Sequence, residues 1–191
     1  MQKELRILLA ASAFSMFAAG LFGPIYAVFV ENIGGDLLTA GGAYSVFAIS
    51  AGVLIFFISR WEDKVKHQEK LVVLGYAIAS CGFLGYLFVS KPWHLIIVQV
   101  IFGVGEAIGT PAYDGLYSSH LDHGKFISQW GLWDSMAWIV TGIAAAVGGF
   151  FASVYGFRSL FMVMFVLSLL GLVSSALLLM RSKKQSRKRK R

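Results

Sequence analysis

The stretch Lys91–Tyr117, KPWHLIIVQVIFGVGEAIGTPAYDGLY, decides how the whole chain is read. It is a long apolar run with a carboxylate, Glu106, well inside it. Written as a helix, it brings Gln99, Gly103, Glu106, Thr110 and Asp114 together at steps of four, three, four and four residues. Residues three or four apart share a helix face, so these five form one polar, small-residue stripe. Ile96, Ile97, Val100, Ile101, Phe102, Val104 and Ile108 make the rest of the helix apolar. An ionisable group at membrane depth is costly, so it is expected to face protein or a water-filled path and not lipid.

The composition fits that setting. Hydrophobic residues make up 57% of the 191 and charged residues 14%, with a mean hydropathy of +0.70. A soluble domain carries about a quarter charged residues. Apolar runs of about 18 residues or more recur along the chain, as membrane-spanning helices require. The 21 glycines suit close helix packing in lipid. The reading is an all-α membrane protein with six transmembrane helices, at about 7–30, 40–59, 71–89, 93–117, 128–151 and 160–180. They form one domain over 1–180, followed by a basic tail, 181–191. The start resembles a signal peptide, but its apolar part exceeds the ~7–15 residues of such a segment. Gly20, Gly23 and Pro24 in the second half of the first span predict a kink or unwinding there.

Charge sets the orientation. Eight of the 17 Lys and Arg lie in the last eleven residues, RSKKQSRKRKR. Directly after a membrane helix, such a run reads as a cytoplasmic topology signal lying on anionic lipid, not as a nucleic-acid site. With six spans, Lys and Arg fall 15 on the side of the two termini and 2, Lys91 and Arg158, on the other. Both termini are therefore expected in the cytoplasm, with the chain multi-pass in the plasma membrane and the bilayer as its first partner.

A weak internal repeat is also present. Pro24 lies 17 residues after Ile7, and Pro111 lies 18 after Trp93. Spans one and four run in opposite directions. Breaks at matching positions in two such halves point to a 3+3 inverted repeat with a pathway beside spans one and four. Gly23, Pro24, Thr110 and Pro111 are placed on that path.

Three motifs follow the spans in order. Asp63, Lys64 and Leu71 stand in the loop between spans two and three, SRWEDKVKHQEKL. Span four carries Gln99-Val-Ile-Phe-Gly103-Val-Gly105-Glu106-Ala107. After Gly148-Gly149 comes Gly156-Phe157-Arg158-Ser159-Leu160-Phe161. Together these resemble the major facilitator superfamily. The loop is similar to its G-x-L-A-D-R-x-G-R-R/K-x-x-L pattern without the two glycines. Span four is similar to R-x-x-x-G-x-G-x-A with Gln99 in the arginine position. The resemblance implies alternating access, about twelve spans in two six-span halves of the same orientation, and this chain as one half. It implies that the loop with Asp63 and Lys64 tethers two halves. The missing half would then be a second copy, giving a homodimer, or a different six-helix half.

Individual residues carry further expectations. Glu106 lies about 20 Å along its helix, near mid-membrane. It suits a proton carrier or a counter-ion to a cationic substrate, or else a protonated acid bonded to a neighbouring helix. Gln99 is a hydrogen-bonding group for substrate. Asp114 and Asp134, with Lys125 nearby, suit a cytoplasmic gate or are interfacial acids reached by water. Trp130 and Trp133 sit at interface depth, and the deeper Trp138 is placed on the substrate path. The small-residue stripe Gly142, Ala146, Gly149 and Ser153 reads as helix packing.

The function expected is transport of a small solute or ion by alternating access, with ion coupling open, in a dimer of six-helix halves. The alternative is a split or degenerate half-transporter, or a membrane scaffold with no transport of its own. No enzyme is expected, since there is no G-x-S-G and the acids are scattered singly. No cofactor or metal is expected either: Cys81 is the one cysteine, and His120-Leu121-Asp122-His123 is a weak ligand pattern.

Overall fold

The computed structural model describes residues 2–189, and among these every regular element is helical. The first passage comprises α1 (Lys3–Gly20), a 3-10 turn (Gly23–Ile25) and α2 (Tyr26–Asn32). Then come α3 (Leu37–Glu62), α4 (Gln68–Tyr86), α5 (Pro92–Ser119) and α6 (Phe126–Arg189). Among the described residues, Lys3–Asn32, Leu37–Glu62, Pro92–Ser119 and Phe126–Arg181 are long and apolar enough to cross a membrane. α4 has 19 residues and opens on Gln68, Glu69 and Lys70, so its apolar part is short of the ~20 residues a bilayer asks for.

Local chemistry explains where the helices begin and end. Asp36 caps α3: the Thr39 amide and hydroxyl donate to its Oδ1 at 2.7 and 2.6 Å. Those two bonds stabilise the ionised form and hold the Asp36 carboxyl below its ordinary pKa. Pro92 opens α5, where its missing N–H has no helical partner to lose. Gly156 interrupts α6 with φ 77° and ψ 167°, a backbone region open essentially only to glycine. It divides α6 into two arms, 126–155 and 157–189. The sequence predicts a connection around SVYGFRS, and the structure confines the non-helical backbone to that one residue.

The first passage breaks where the sequence predicts. Phe22 and Ile25 donate to the carbonyls three residues back, Ala19 and Phe22, at 3.2 and 3.0 Å. The matching break expected at Pro111 does not occur, and α5 continues through it to Ser119. One proline deletes a single ladder bond. The first passage adds Gly20 and Gly23, which weaken the helix on both sides of the gap.

The helices pack by exchange. α1 lies against α6, while α5 lies against α3 and α4. Glycines mark the crossings. Gly148 meets the Leu21 backbone, Gly20 meets Thr141 and Ala144, and Gly171 meets Ala11. On the other side Gly103 meets Ser50, and Gly75 meets Gly109 and Gly105. Helices from the front of the chain thus pack mainly on helices from the back. Phe22, Phe29, Tyr86 and Phe161 close one end, with ring centroids 4.9 to 6.4 Å apart. At the other end Arg181 Nη1 donates to Glu4 Oε1 at 3.2 Å, joining the start of α1 to α6. The side chains of the basic tail, 182–191, lie outside the described residues.

Candidate functional site

α5 and the first passage frame two cavities, one above the other. The first, of about 370 Å³, lies toward the end bearing the N-terminus. α1 lines it with Ser12, Ser15, Met16 and Ala19, and α5 with Glu106, Thr110, Tyr113 and Asp114. Tyr76 of α4 and Trp133 of α6 complete it. The second, of about 340 Å³, lies toward the opposite end. Its walls include Phe22, Gly23 and Tyr26 around the break, Tyr44 and Phe47 of α3, and Phe83 and Tyr86 of α4. Gln99 and Phe102 of α5 and Met164 of α6 also line it. Ser15, Ala19, Ala79, Phe102 and Glu106 belong to both cavities, so Glu106 stands in the wall they share.

The polar groups are tied down locally. Thr110 Oγ1 donates to Glu106 Oε1 at 2.7 Å, the i, i+4 contact their spacing dictates. Gln99 is 5% exposed, and its Nε2 donates to the Tyr26 hydroxyl at 2.9 Å across to the first passage. Tyr113 Oη donates to Ser12 Oγ at 3.2 Å, and Ser12 donates in turn to the Leu9 carbonyl at 3.1 Å. Trp133 Nε1 is buried beside Tyr113 and, among the described residues, meets no partner with full hydrogen-bond geometry.

Residues 8–191 match the sequence pattern of the Major Facilitator Superfamily. The chain belongs to that superfamily. The quinolone resistance protein NorB of Staphylococcus aureus (strain bovine RF122 / ET3-1) is 25% identical over 169 residues, 87% of this chain and 35% of NorB. The chain therefore spans about a third of NorB's length. The uncharacterised MFS-type transporter YitZ of Bacillus subtilis (strain 168) is 24% identical over 148 residues, 76% of this chain and 88% of YitZ. YitZ is thus itself no longer than this chain.

The superfamily's membrane path is the frame in which the predicted residues can be placed. Gln99, Glu106, Thr110, Asp114 and Gly23 line the two cavities. Pro24 sits in the 3-10 turn and Pro111 inside α5, and neither lines a cavity. Gly103 leaves the predicted stripe to pack on Ser50 of α3, and Phe102 takes its place on the path. Trp138 is 79% exposed and lines neither cavity. It lies on a different side of α6 from Trp133, five residues earlier, which lines the first cavity. Asp134 is exposed and also off the path, and among the described residues neither it nor Asp114 pairs with Lys125. Asp122 is engaged with Gln129, whose Nε2 donates to its Oδ2 at 2.8 Å.

In the loop motif, Asp63 and Lys64 are exposed, with the Asp63 amide donating to the Ser59 carbonyl at 3.1 Å. The buried acid is their neighbour Glu62, 3% exposed, with both carboxylate oxygens unpartnered among the described residues. Sequence spacing did not single out Glu62, nor the tyrosines Tyr26, Tyr44, Tyr76, Tyr86 and Tyr113. Those tyrosines sit on four elements, Tyr76 and Tyr86 both on α4, and converge only through the fold.

Proposed function

We propose that this chain is one half of an alternating-access transporter for a small solute. One observation carries the reading. Two cavities reach from opposite ends of the helices and meet at one mid-helix carboxylate, Glu106. A carboxylate shared by two half-paths can be reached from either side in turn, which is what a coupling or binding group in alternating access needs. Gln99 serves the outer cavity and Asp114 the inner one. The six-span domain covers 1–180 with both termini cytoplasmic, in the plasma membrane. Asp63 and Lys64 act at the cytoplasmic face between halves.

The second half in this reading is another copy of the same chain. Only 11% of the apolar window of α3 is buried, against 50% in the first passage. Gly41, Gly42 and Gly52 on α3, and Gly131, Gly142 and Gly149 on the first arm of α6, have nothing within 4 Å of an added Cβ. Open small-residue faces allow close helix approach in lipid. A parallel twofold presents the same patch from each side and covers the groove at Glu106. YitZ, of similar length, supports a six-span chain as a unit.

Reconstitution into proteoliposomes tests the reading. Uptake of a solute by the native chain, lost in Glu106→Gln, is the expected result. If a folded Glu106→Gln protein carries every solute as the native one does, the shared-carboxylate mechanism is wrong.

A further inference from the structure

We propose that two copies of this chain recognise each other through reciprocal ion pairs, Arg60 of each with the partner's Asp134, at the end of the bundle that bears the N-terminus. This rests on the pairing of two halves put forward above and names the residues that make it. Asp134 is exposed, eight residues or about 12 Å beyond the start of α6 at Phe126. Arg60 is exposed in the last turn of α3. Among the described residues neither forms an ion pair, and Arg60 lies over the Phe56 ring at 4.5 Å. A carboxylate on the outside of a spanning helix is stabilised by a cation from a neighbouring chain.

Both charges lie at one depth. Gly103 of α5 packs on Ser50 of α3, and the two helices run in the same direction. Ten residues further along each helix, Arg60 is therefore level with Tyr113. The Tyr113 ring meets that of Trp133, the neighbour of Asp134, with centroids 6.5 Å apart. Within one chain α3 packs on α5, while α6 packs on α1 and α4, so the two charges stay apart.

The faces that carry the charges match residue for residue. Toward the N-terminal end of the bundle, α3 presents Gly41, Ser45, Ile49, Gly52, Phe56 and Arg60, at steps of four, four, three, four and four. In the same direction, the first arm of α6 presents Ser153, Gly149, Ala145, Gly142, Trp138 and Asp134, at the same steps. Such steps keep to one helix face. All twelve are exposed except Ala145 and Gly149, which are half-buried. A parallel twofold sets α3 of one copy antiparallel to the first arm of the partner's α6, so the two series come into line. Gly52 then meets the partner's Gly142, and Ser45 the partner's Gly149. A Cβ at any of these three glycines meets nothing within 4 Å in its own chain, so the backbones are free to approach. Phe56, 56% exposed, meets the partner's Trp138, 79% exposed, ring against ring. One turn further on, Arg60 meets the partner's Asp134. A lipid occupant would suit the rings and leave both charges unpaired. Tyr44 and Phe47 of α3 and Trp133 of α6 line the cavities, so the two faces flank the groove at Glu106 and their pairing closes it.

Complementary charge reversal tests this. Arg60→Asp and Asp134→Arg are made in separate full chains, one carrying a mass tag, and are mixed in detergent before assembly into lipid nanodiscs. Alone, each variant sets two like-charge pairs across its twofold. Its dimer is expected to weaken by about a hundredfold, roughly tenfold for each pair. Mixed, one pair is native and the other is reversed on both sides. Native mass spectrometry is then expected to show the mixed dimer in large excess over either variant paired with itself. A second measurement leaves both charges in place. Ser45→Cys and Gly149→Cys, each in a chain whose exposed Cys81 is replaced by serine, are expected to form a disulfide when mixed and oxidised, and not when alone.

A variant that pairs with itself as tightly as the native chain overturns the proposal. So does a mixture that pairs statistically, or that stays monomeric while the native chain pairs. Absence of the disulfide between positions 45 and 149 in a dimeric protein overturns it as well. Charge-matched pairing without uptake into proteoliposomes would leave this interface and remove the transporter reading. Uptake by a chain whose pairing ignores both charges would do the reverse.

Discussion

Alanine at Gly148 and at Gly149 should act in opposite directions, although the two residues are adjacent. A Cβ at Gly148 would fall on the Leu21 backbone, at the break in the first passage. Backbone cannot rotate aside, so α1 and the first arm of α6 must part. Overpacking of this kind typically costs ~1–3 kcal/mol. A Cβ at Gly149 meets nothing within 4 Å. There Ala gains about 0.5–1 kcal/mol over Gly as a helix former. The two variants therefore differ by about 1.5–4 kcal/mol. For a chain of this size, that separates their melting temperatures by on the order of 10 °C. Thermal unfolding of the detergent-solubilised monomer, followed by size-exclusion fluorescence, reads the difference. If Gly148→Ala melts with Gly149→Ala, the packing of α1 on α6 described above is wrong.

Other perturbations reach separate parts of the fold. Gln99→Leu strands the Tyr26 hydroxyl and should cost about 1–3 kcal/mol in the same melt, with most of the loss recovered when Tyr26→Phe is added. Glu62→Leu removes a buried, unpartnered carboxylate and should raise the melting temperature of the monomer; a lower one would mean that Glu62 has a partner. Asp36→Ala should fray the first turn of α3, seen as faster hydrogen exchange of the Thr39 amide. Because the Asp36 pKa is lowered in the fold, the cap is present above about pH 4 and is lost as pH falls through the lowered value. Exchange at Thr39 that does not change on acidification would contradict that cap.

Much of this architecture is legible in the sequence, and the exceptions have physical causes. Apolar length suffices to recognise an all-helical membrane protein, because a bilayer constrains it. The unwinding at Gly23 and Pro24 was visible because three breakers cluster there. Pro111 misled, since a lone proline inside a long helix with glycines close by is absorbed. Along the stripe on α5, Glu106, Thr110 and Asp114 line a cavity. Gly103 instead packs on Ser50, because a small residue fits a polar path and a helix crossing equally well, and only the residue across from it decides. Depth along a helix likewise does not tell which way a ring points. Trp133 and Trp138 differ by five residues, or about 500° of rotation, which sends them to different sides. The tyrosines could not be read at all, since their convergence depends on four elements folding together.

The most direct test of the central claim, that two copies of this chain meet across the Glu106 groove, is the mass of the full chain in lipid nanodiscs by native mass spectrometry. The expected result is a species of twice the chain mass, reduced to the monomer when Gly142 and Gly149, whose would-be Cβ atoms meet nothing, are both replaced by leucine. A native chain that stays monomeric while carrying solute into proteoliposomes would contradict it.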